Sequence, residues 1–570
     1  MHSSPRWEAR RGGSASTSSS WSSCAWSSAS RSQISFRSCT AAPLGQLDRR
    51  RRPLFRRPDV AADVISDNWF SLRSSGNETL LKDLLNQVPS QVLQRRPDLA
   101  VALAATRIDA GDVVGADEYL RLAEANESLV PPERRRTFAE SMTYVRLYLS
   151  RIRGDLKAVV LSARQVVAPS SNGLAMGNGS DTVRAAALVH LGAAEIWMGD
   201  FAAAATHLEE GLGAAWRARS EYVSLDCLSQ LAGLEAIRGS IRAAEERAAA
   251  AIELAERRGW TMAAPAAMAY AAMAVVRFTR NELAEAEHSL DMAEQANSSA
   301  HELALDVGIA LMRSFLLAAS GELLRARAVL RSAEQGAREL GAADFVQTVI
   351  RSSEPRLLTE SGENDRARSI LETEIERAPS LEMAVELARL QIANGEPKSA
   401  IETLRPGLDG TLRSTIGNKL TEAWLYDAVA RHSLGALEEA SRSMEQALEL
   451  GEREGLRRPF VEGGPAVKEL LLRAIRVGTA HRSFVGQILD DLDGREPGTD
   501  DVRSIVVEPL SDRERTVLRY LPTMLSSREI ASEMYLSLNT VKTHMKNIYR
   551  KLGASGRRDA VERGRRMRLV

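Results

Sequence analysis

From about residue 58 to residue 465, apolar residues recur three and four positions apart, Ala is abundant and Pro is sparse. That period predicts one amphipathic helix after another and an all-α chain. The helices come in pairs, each joined at a turn residue: Gly111, Gly154, Gly199, Gly239, Asn281, Gly321, Gly362, Gly395 and Gly435. Successive turns lie 33 to 45 residues apart, and Asp or Glu often follows the turn residue. Ala stands five residues after the turn in eight of the nine units: Ala116, Ala204, Ala244, Ala286, Ala326, Ala367, Ala400 and Ala440. It stands twelve residues after in five: Ala123, Ala251, Ala293, Ala333 and Ala447. Gly, or Asn281 in its place, supplies the positive φ that stops the first helix. The small Ala lets the second helix lie close against the first. One pair cannot bury its apolar face alone, so neighbours must stack into a superhelical α-solenoid.

These units resemble tetratricopeptide repeats, lengthened from the usual 34 residues to about 40. Beyond the last unit, the run Gly455-Leu456-Arg457-Arg458-Pro459-Phe460-Val461-Glu462-Gly463-Gly464 leads to an apolar helix around Leu470–Ile475. Residues 490–509 are acidic, with Gly and Pro, and read as a linker. Asp491, Asp493, Gly494 and Asp500 do not make a calcium loop. Its first ligand position would fall on Leu489 and its twelfth on an Asp rather than the required Glu.

The period continues in residues 510–570, now punctuated by caps. Ser511 with Glu514 and Ser526 with Glu529 are two S-x-x-E capping boxes, each ahead of an apolar run. Ser537 precedes a third helix, about Leu538 to Leu552. On its wheel Val541, Met545, Ile548 and Leu552 form one apolar stripe. The other face presents Asn539, Lys542, Thr543, Lys546, Asn547 and Arg550, with no acid among them. A solvated face usually mixes signs, whereas one laid against phosphates and base edges does not. A small helical bundle without a ligand is the plain alternative.

The stretches Ser526 to Ala531, Ser537 to His544 and Tyr549 to Gly553 resemble the LuxR-type helix-turn-helix domain, and the likeness extends over about 60 residues. The resemblance implies a four-helix domain whose third helix enters the major groove. Lys542, Thr543 and Lys546 would face bases, and Asn539 and Thr540 would hold the backbone. Asn547 and Arg550 join them from the wheel alone. The fourth helix, about Arg557 to Met567, would supply a dimer contact. The chain departs from the family where Met524 replaces a common Gly, Ser527 a common Asn and Gly564 a usual Ala. Pro522 implies that the first helix ends early without a Gly cap, and Ser527 keeps a hydroxyl for a phosphate.

Charge sharpens the division. The 570 residues carry 75 Lys+Arg and 75 Asp+Glu, yet residues 1–60 and 511–570 are each +8. The body between them is therefore acidic, and a basic terminus on an acidic body suits nucleic acid at that terminus. Three Cys (Cys24, Cys39, Cys227) exclude a disulfide scaffold and a four-Cys zinc site. The eight His form no H-E-x-x-H, and no Ser/His/Asp constellation is evident, so no enzyme, metal or cofactor is expected. Buried Cys227 reads as a structural thiol.

Repeats followed by this module resemble the large ATP-binding LuxR-type regulators, MalT-like in plan, and residues 61–125 resemble the stretch that follows their ATPase. Only eight Lys occur and no Gly-Lys-Ser/Thr, so the sequence has no Walker A lysine and reads as an N-terminally shortened member. The expected organisation is a Ser/Arg-rich disordered tail over 1–57, the solenoid over 58–465, a terminal helix and acidic linker over 466–509, and the four-helix DNA-binding domain over 510–570. The expected function is sequence-specific transcription regulation, with the solenoid sensing an effector. The rival is an interaction scaffold with a vestigial DNA-binding module. Expected partners are double-stranded DNA, RNA polymerase and a small-molecule or protein effector. The chain is expected to be a dimer on DNA in the cytoplasm, without a membrane.

Overall fold

The computed structural model describes residues 58–566 apart from 74, 168–177, 415–416, 495–509, 524, 535, 553 and 555. The tail over 1–57 and most of the acidic linker lie outside the described residues. Among the described residues every regular element is helical. None is long and apolar enough to cross a membrane.

All nine turn residues have positive φ, from 65° at Asn281 to 80° at Gly199 and Gly239. At each, the N–H of the next residue donates to the carbonyl five residues before the turn-following Asp, Glu, Ser or Ala. Examples are Asp112 to Arg107 at 2.9 Å and Glu322 to Leu317 at 2.9 Å. This six-to-one bond closes the first helix. The second then starts at once. Asp112, Asp155 and Asp200 accept from Gly115, Ala158 and Ala203 N–H at 2.8, 3.1 and 3.2 Å. Where Glu follows, the longer side chain leaves the cap and forms ion pairs instead, as Glu363 does with Arg327 at 2.7 Å. Pairs such as Glu221–Arg238 with Ile241–Arg258, and Leu303–Ala319 with Leu323–Leu340, result. The eight Ala five residues past the turns are all 0% exposed. At those positions a larger side chain has nowhere to go.

The structure adds a tenth unit that the Gly-and-Ala pattern missed. Pro58–Arg73 and Glu78–Asn86 are joined at Gly76, φ 69°, with Asn77 N–H donating to Leu72 at 2.9 Å. Its fifth residue past the turn is Leu81, equally buried. After the last unit the structure has a short helix Arg458–Glu462 and then two helices, Gly464–Val477 and Arg482–Leu492, where the sequence pattern gave one. The second was hidden by the acids that follow it. Its Phe484, Val485 and Ile488 pack with Phe460 and Leu471 in one cluster. Asp491 and Asp493 are ion-paired with Arg457 at 2.8 Å and Lys468 at 2.5 Å.

The superhelix is wound tightly enough for its successive turns to touch. A Cβ added to Gly76 would collide with the Trp260 indole. One on Gly154 would meet Leu340 at 2.8 Å, and one on Gly239 would meet Gly417 Cα at 2.6 Å. Arg457 N–H donates to Thr279 at 3.0 Å, and Arg458 to Asn281 Oδ1 at 2.9 Å. Asn281, where the other units have Gly, thus doubles as a contact between turns. A buried polar cluster reinforces the closure. Arg151 donates through Nε and Nη2 to both oxygens of Glu302, each at 2.9 Å, across 151 residues of chain. It also reaches His190 Nδ1 at 3.1 Å and Asp226 at 3.4 Å. Beside it Arg73 takes Asp109 in a two-pronged pair at 3.1 and 2.8 Å. Burial, together with the neighbouring Arg151 and Arg73 charges, holds His190 well below the ordinary imidazole range, so it is neutral here. Burial likewise pushes the Cys227 thiol well up.

Candidate nucleic-acid interface

Among the described residues the C-terminal module has four helices: Asp512–Tyr520, Ser527–Glu533, Leu538–Leu552 and Arg557–Arg566. Both capping boxes are complete. Ser511 and Ser526 hydroxyls each accept from the N–H three residues on, at 3.3 Å. Glu514 and Glu529 return the bond to the Ser N–H at 2.8 and 2.7 Å. These bonds favour the charged carboxylate, and both Glu sit below the usual range. For Glu514, burial works the other way and is outweighed by Lys551, 2.8 Å away, and the Ser511 bonds. Lys551 is thereby committed to the module's own core and does not extend the basic face.

The first helix ends before Pro522 by a route that sequence reading did not find. Arg557, at the start of the fourth helix, donates to the carbonyls of Leu521 at 3.0 Å and Thr523 at 2.9 Å. A guanidinium from another helix stands where a Gly cap would have closed the end. The only signal was a basic residue at the right distance along the chain. Arg557→Ala is expected to lower the module's stability by about 1.5–3 kcal/mol, the range for a hydrogen bond to a charged group. Denaturant unfolding read on the module's tyrosines checks it, and a change under 0.5 kcal/mol would show the carbonyls content with water.

The third helix is anchored by Val541 and Ile548, both 0% exposed, with Met545 half-buried. Ser527 turns its hydroxyl toward Met545 Sδ at 3.5 Å, so it serves the seam between the second and third helices. Ser537 accepts from Thr540 N–H at 3.1 Å and shares a bond with the Thr540 hydroxyl at 2.8 Å. Thr540 is thus half-buried in the cap. Of the residues expected to meet DNA, Asn539, Lys542, Thr543, Lys546 and Arg550 are exposed and Asn547 is half-buried. Thr543 donates its hydroxyl to the Asn539 carbonyl at 2.9 Å, leaving its methyl for a partner. The geometry therefore gathers two lysines, a methyl and an amide on one exposed, acid-free strip of a helix whose N-terminus is well capped. Helix N-termini and cationic strips of this kind suit phosphate and base edges.

Comparison with known proteins bears on both parts. A family model of the MalT-like TPR region matches residues 174–476, and one of bacterial regulatory proteins of the luxR family matches residues 508–563. Among solved structures, a Rap protein complexed with Competence and Sporulation Factor matches at 12% identity. That match covers 69% of this chain and 98% of the other, with a TM-score of 0.38. The APC/C hetero-tetramer Cut9-Hcn1 matches at 12% identity, covering 76% and 90%, with a TM-score of 0.36.

Proposed function

Since the chain belongs to the luxR-type bacterial regulatory proteins with a MalT-like TPR region, we propose that it is a sequence-specific transcription regulator whose solenoid senses an effector. Leu538–Leu552 enters the major groove. Lys542 and Lys546, one turn apart, donate to guanine O6 and N7, and the Thr543 methyl meets a thymine methyl. Asn539 and Thr540 hold the phosphate backbone at the capped end, and Asn547 and Arg550 extend the contact along the helix. The proposed division is a tail over 1–57, a solenoid over 58–465, a joining segment over 466–509 and the DNA-binding domain over 510–570. The protein acts as a dimer on DNA in the cytoplasm, contacts RNA polymerase and catalyses no reaction.

One observation carries this reading: Val541 and Ile548 are fully buried while Asn539, Lys542, Thr543, Lys546 and Arg550 form an exposed face without an acid. The test uses the full-length protein on a selected duplex and a scrambled one across a salt series. Lys542→Ala or Lys546→Ala is expected to cost about 1–3 kcal/mol on the selected duplex and to relax preference at one base pair. Arg550→Ala is expected to weaken both duplexes alike and to lower the salt slope by about one. Equal losses on both duplexes for the lysines would make them phosphate anchors. No loss from any of the three leaves the scaffold reading with a vestigial module.

A further inference from the structure

Inside the superhelix lies a cavity of about 310 Å³. Its body is apolar: Ile237, Met268, Val275, Phe278, Phe315 and Val349 line it. The Phe278 and Phe315 rings stand 6.3 Å apart, and Arg458 lies over Phe278 at 5.5 Å. Such a volume and lining are in the range of small-molecule sites. Five of those six side chains are only partly buried even though the solenoid has closed around them. The protein leaves apolar surface open toward its own interior.

One end of the cavity is polar, and its charges are already matched. Arg356, Lys419 and Arg458 line it together with Glu386, Glu422 and Glu462. Arg356 and Arg458 both pair with Glu462, at 2.5 and 2.8 Å, and Lys419 pairs with Glu422 at 2.8 Å. A charged ligand would therefore enter a largely apolar site without a spare counter-ion, at a desolvation cost. Trp197 Nε1 and Glu386 Oε2, which have no hydrogen-bond partner among the described residues, are sealed behind this wall and offer an occupant no polar contact.

We propose that this cavity is the effector site and that it takes an uncharged, largely apolar small molecule. The proposal rests on the reading of the solenoid as the sensing part. The wall joins residues 197–356 to residues 386–462. An occupant therefore bridges the middle of the solenoid and the segment that leads toward the DNA-binding domain.

The test titrates the full-length protein with N-phenyl-1-naphthylamine, which is neutral and apolar with one N–H donor. Its sulfonate, 8-anilinonaphthalene-1-sulfonate, shares that skeleton with a negative charge added. Saturable one-to-one binding of the neutral probe, at least about tenfold tighter than the sulfonate, is expected. Ala271→Phe, which places a ring in the cavity from its wall, is expected to weaken the neutral probe at least about tenfold with the melting temperature kept. Equal binding of the two probes, no saturable binding, or an Ala271→Phe variant that binds as wild type overturns the assignment. Affinity for the selected duplex is read with and without saturating neutral probe. If the probe binds as expected and that affinity does not move, the cavity stands and the sensing role of the solenoid falls.

Discussion

Replacing Arg151 by Met is expected to cost the chain about 3–5 kcal/mol, the range for removing one partner of a buried ion pair. Arg151 is 6% exposed and serves Glu302, Asp226 and His190 together. Burial alone would disfavour its charge, but Glu302 and Asp226 more than compensate and hold it firmly protonated. With the guanidinium gone, two carboxylates remain in a cavity where burial already raises Asp226. One of them must take a proton or the turns must part. The Arg151→Met, Glu302→Leu double variant should recover part of the loss, because the stranded charge leaves with its partner. Unfolding of the full-length protein in denaturant, followed by helical signal and by amide exchange around residues 151 and 302, checks both. A loss below 1 kcal/mol would mean that the two turns do not depend on this pair.

Gly239→Ala against Gly321→Ala gives the second large effect. The two glycines have nearly the same backbone, φ 80° and 79°, and each ends the first helix of its unit. Alanine in that conformation costs about 1–2 kcal/mol. At Gly321 a Cβ meets nothing within 4 Å among the described residues, so that is the whole expected cost. At Gly239 it would stand 2.6 Å from Gly417 Cα and 2.8 Å from Asn418 Oδ1. Gly417 itself donates to the Ile237 carbonyl at 3.2 Å, so neither backbone can yield without breaking that bond. Crowding of this kind adds about 1–3 kcal/mol. The difference between the two variants, measured by the same denaturant unfolding, isolates the contact between turns. Equal losses would show that the superhelix is open at this point in solution.

The unit of the fold was legible because each pair signals itself locally. A positive-φ residue, a cap and an Ala at fixed offsets lie within a dozen residues of one another. Gly76 escaped because Leu81 stands where eight of the nine other units have Ala, although its turn is built in the same way. The helix Arg482–Leu492 escaped because its last residues read as the start of the acidic linker. Contacts between turns were not legible at all. Arg151 with Glu302 and Gly239 with Gly417 join residues more than a hundred positions apart, and no local period encodes them. The two faces of Leu538–Leu552 could be read from the wheel, since one side is wholly apolar. That Lys551 belongs to Glu514, and that Arg557 caps the first helix, depends on how helices cross. The cavity, too, is a property of the winding and not of any single repeat.

Because its coils rest on one another, this solenoid loses the modularity for which repeat proteins are known. In an open array each repeat answers only to its neighbours, so one can be inserted or deleted and the rest fold unchanged. Here the chain behaves like a screw thread. Removing one repeat of about 40 residues would advance every later unit by one step, leaving Gly239 facing something other than Gly417 and Arg151 something other than Glu302. Repeat number is thereby fixed by pitch, and evolution can vary the faces of these helices far more freely than their count.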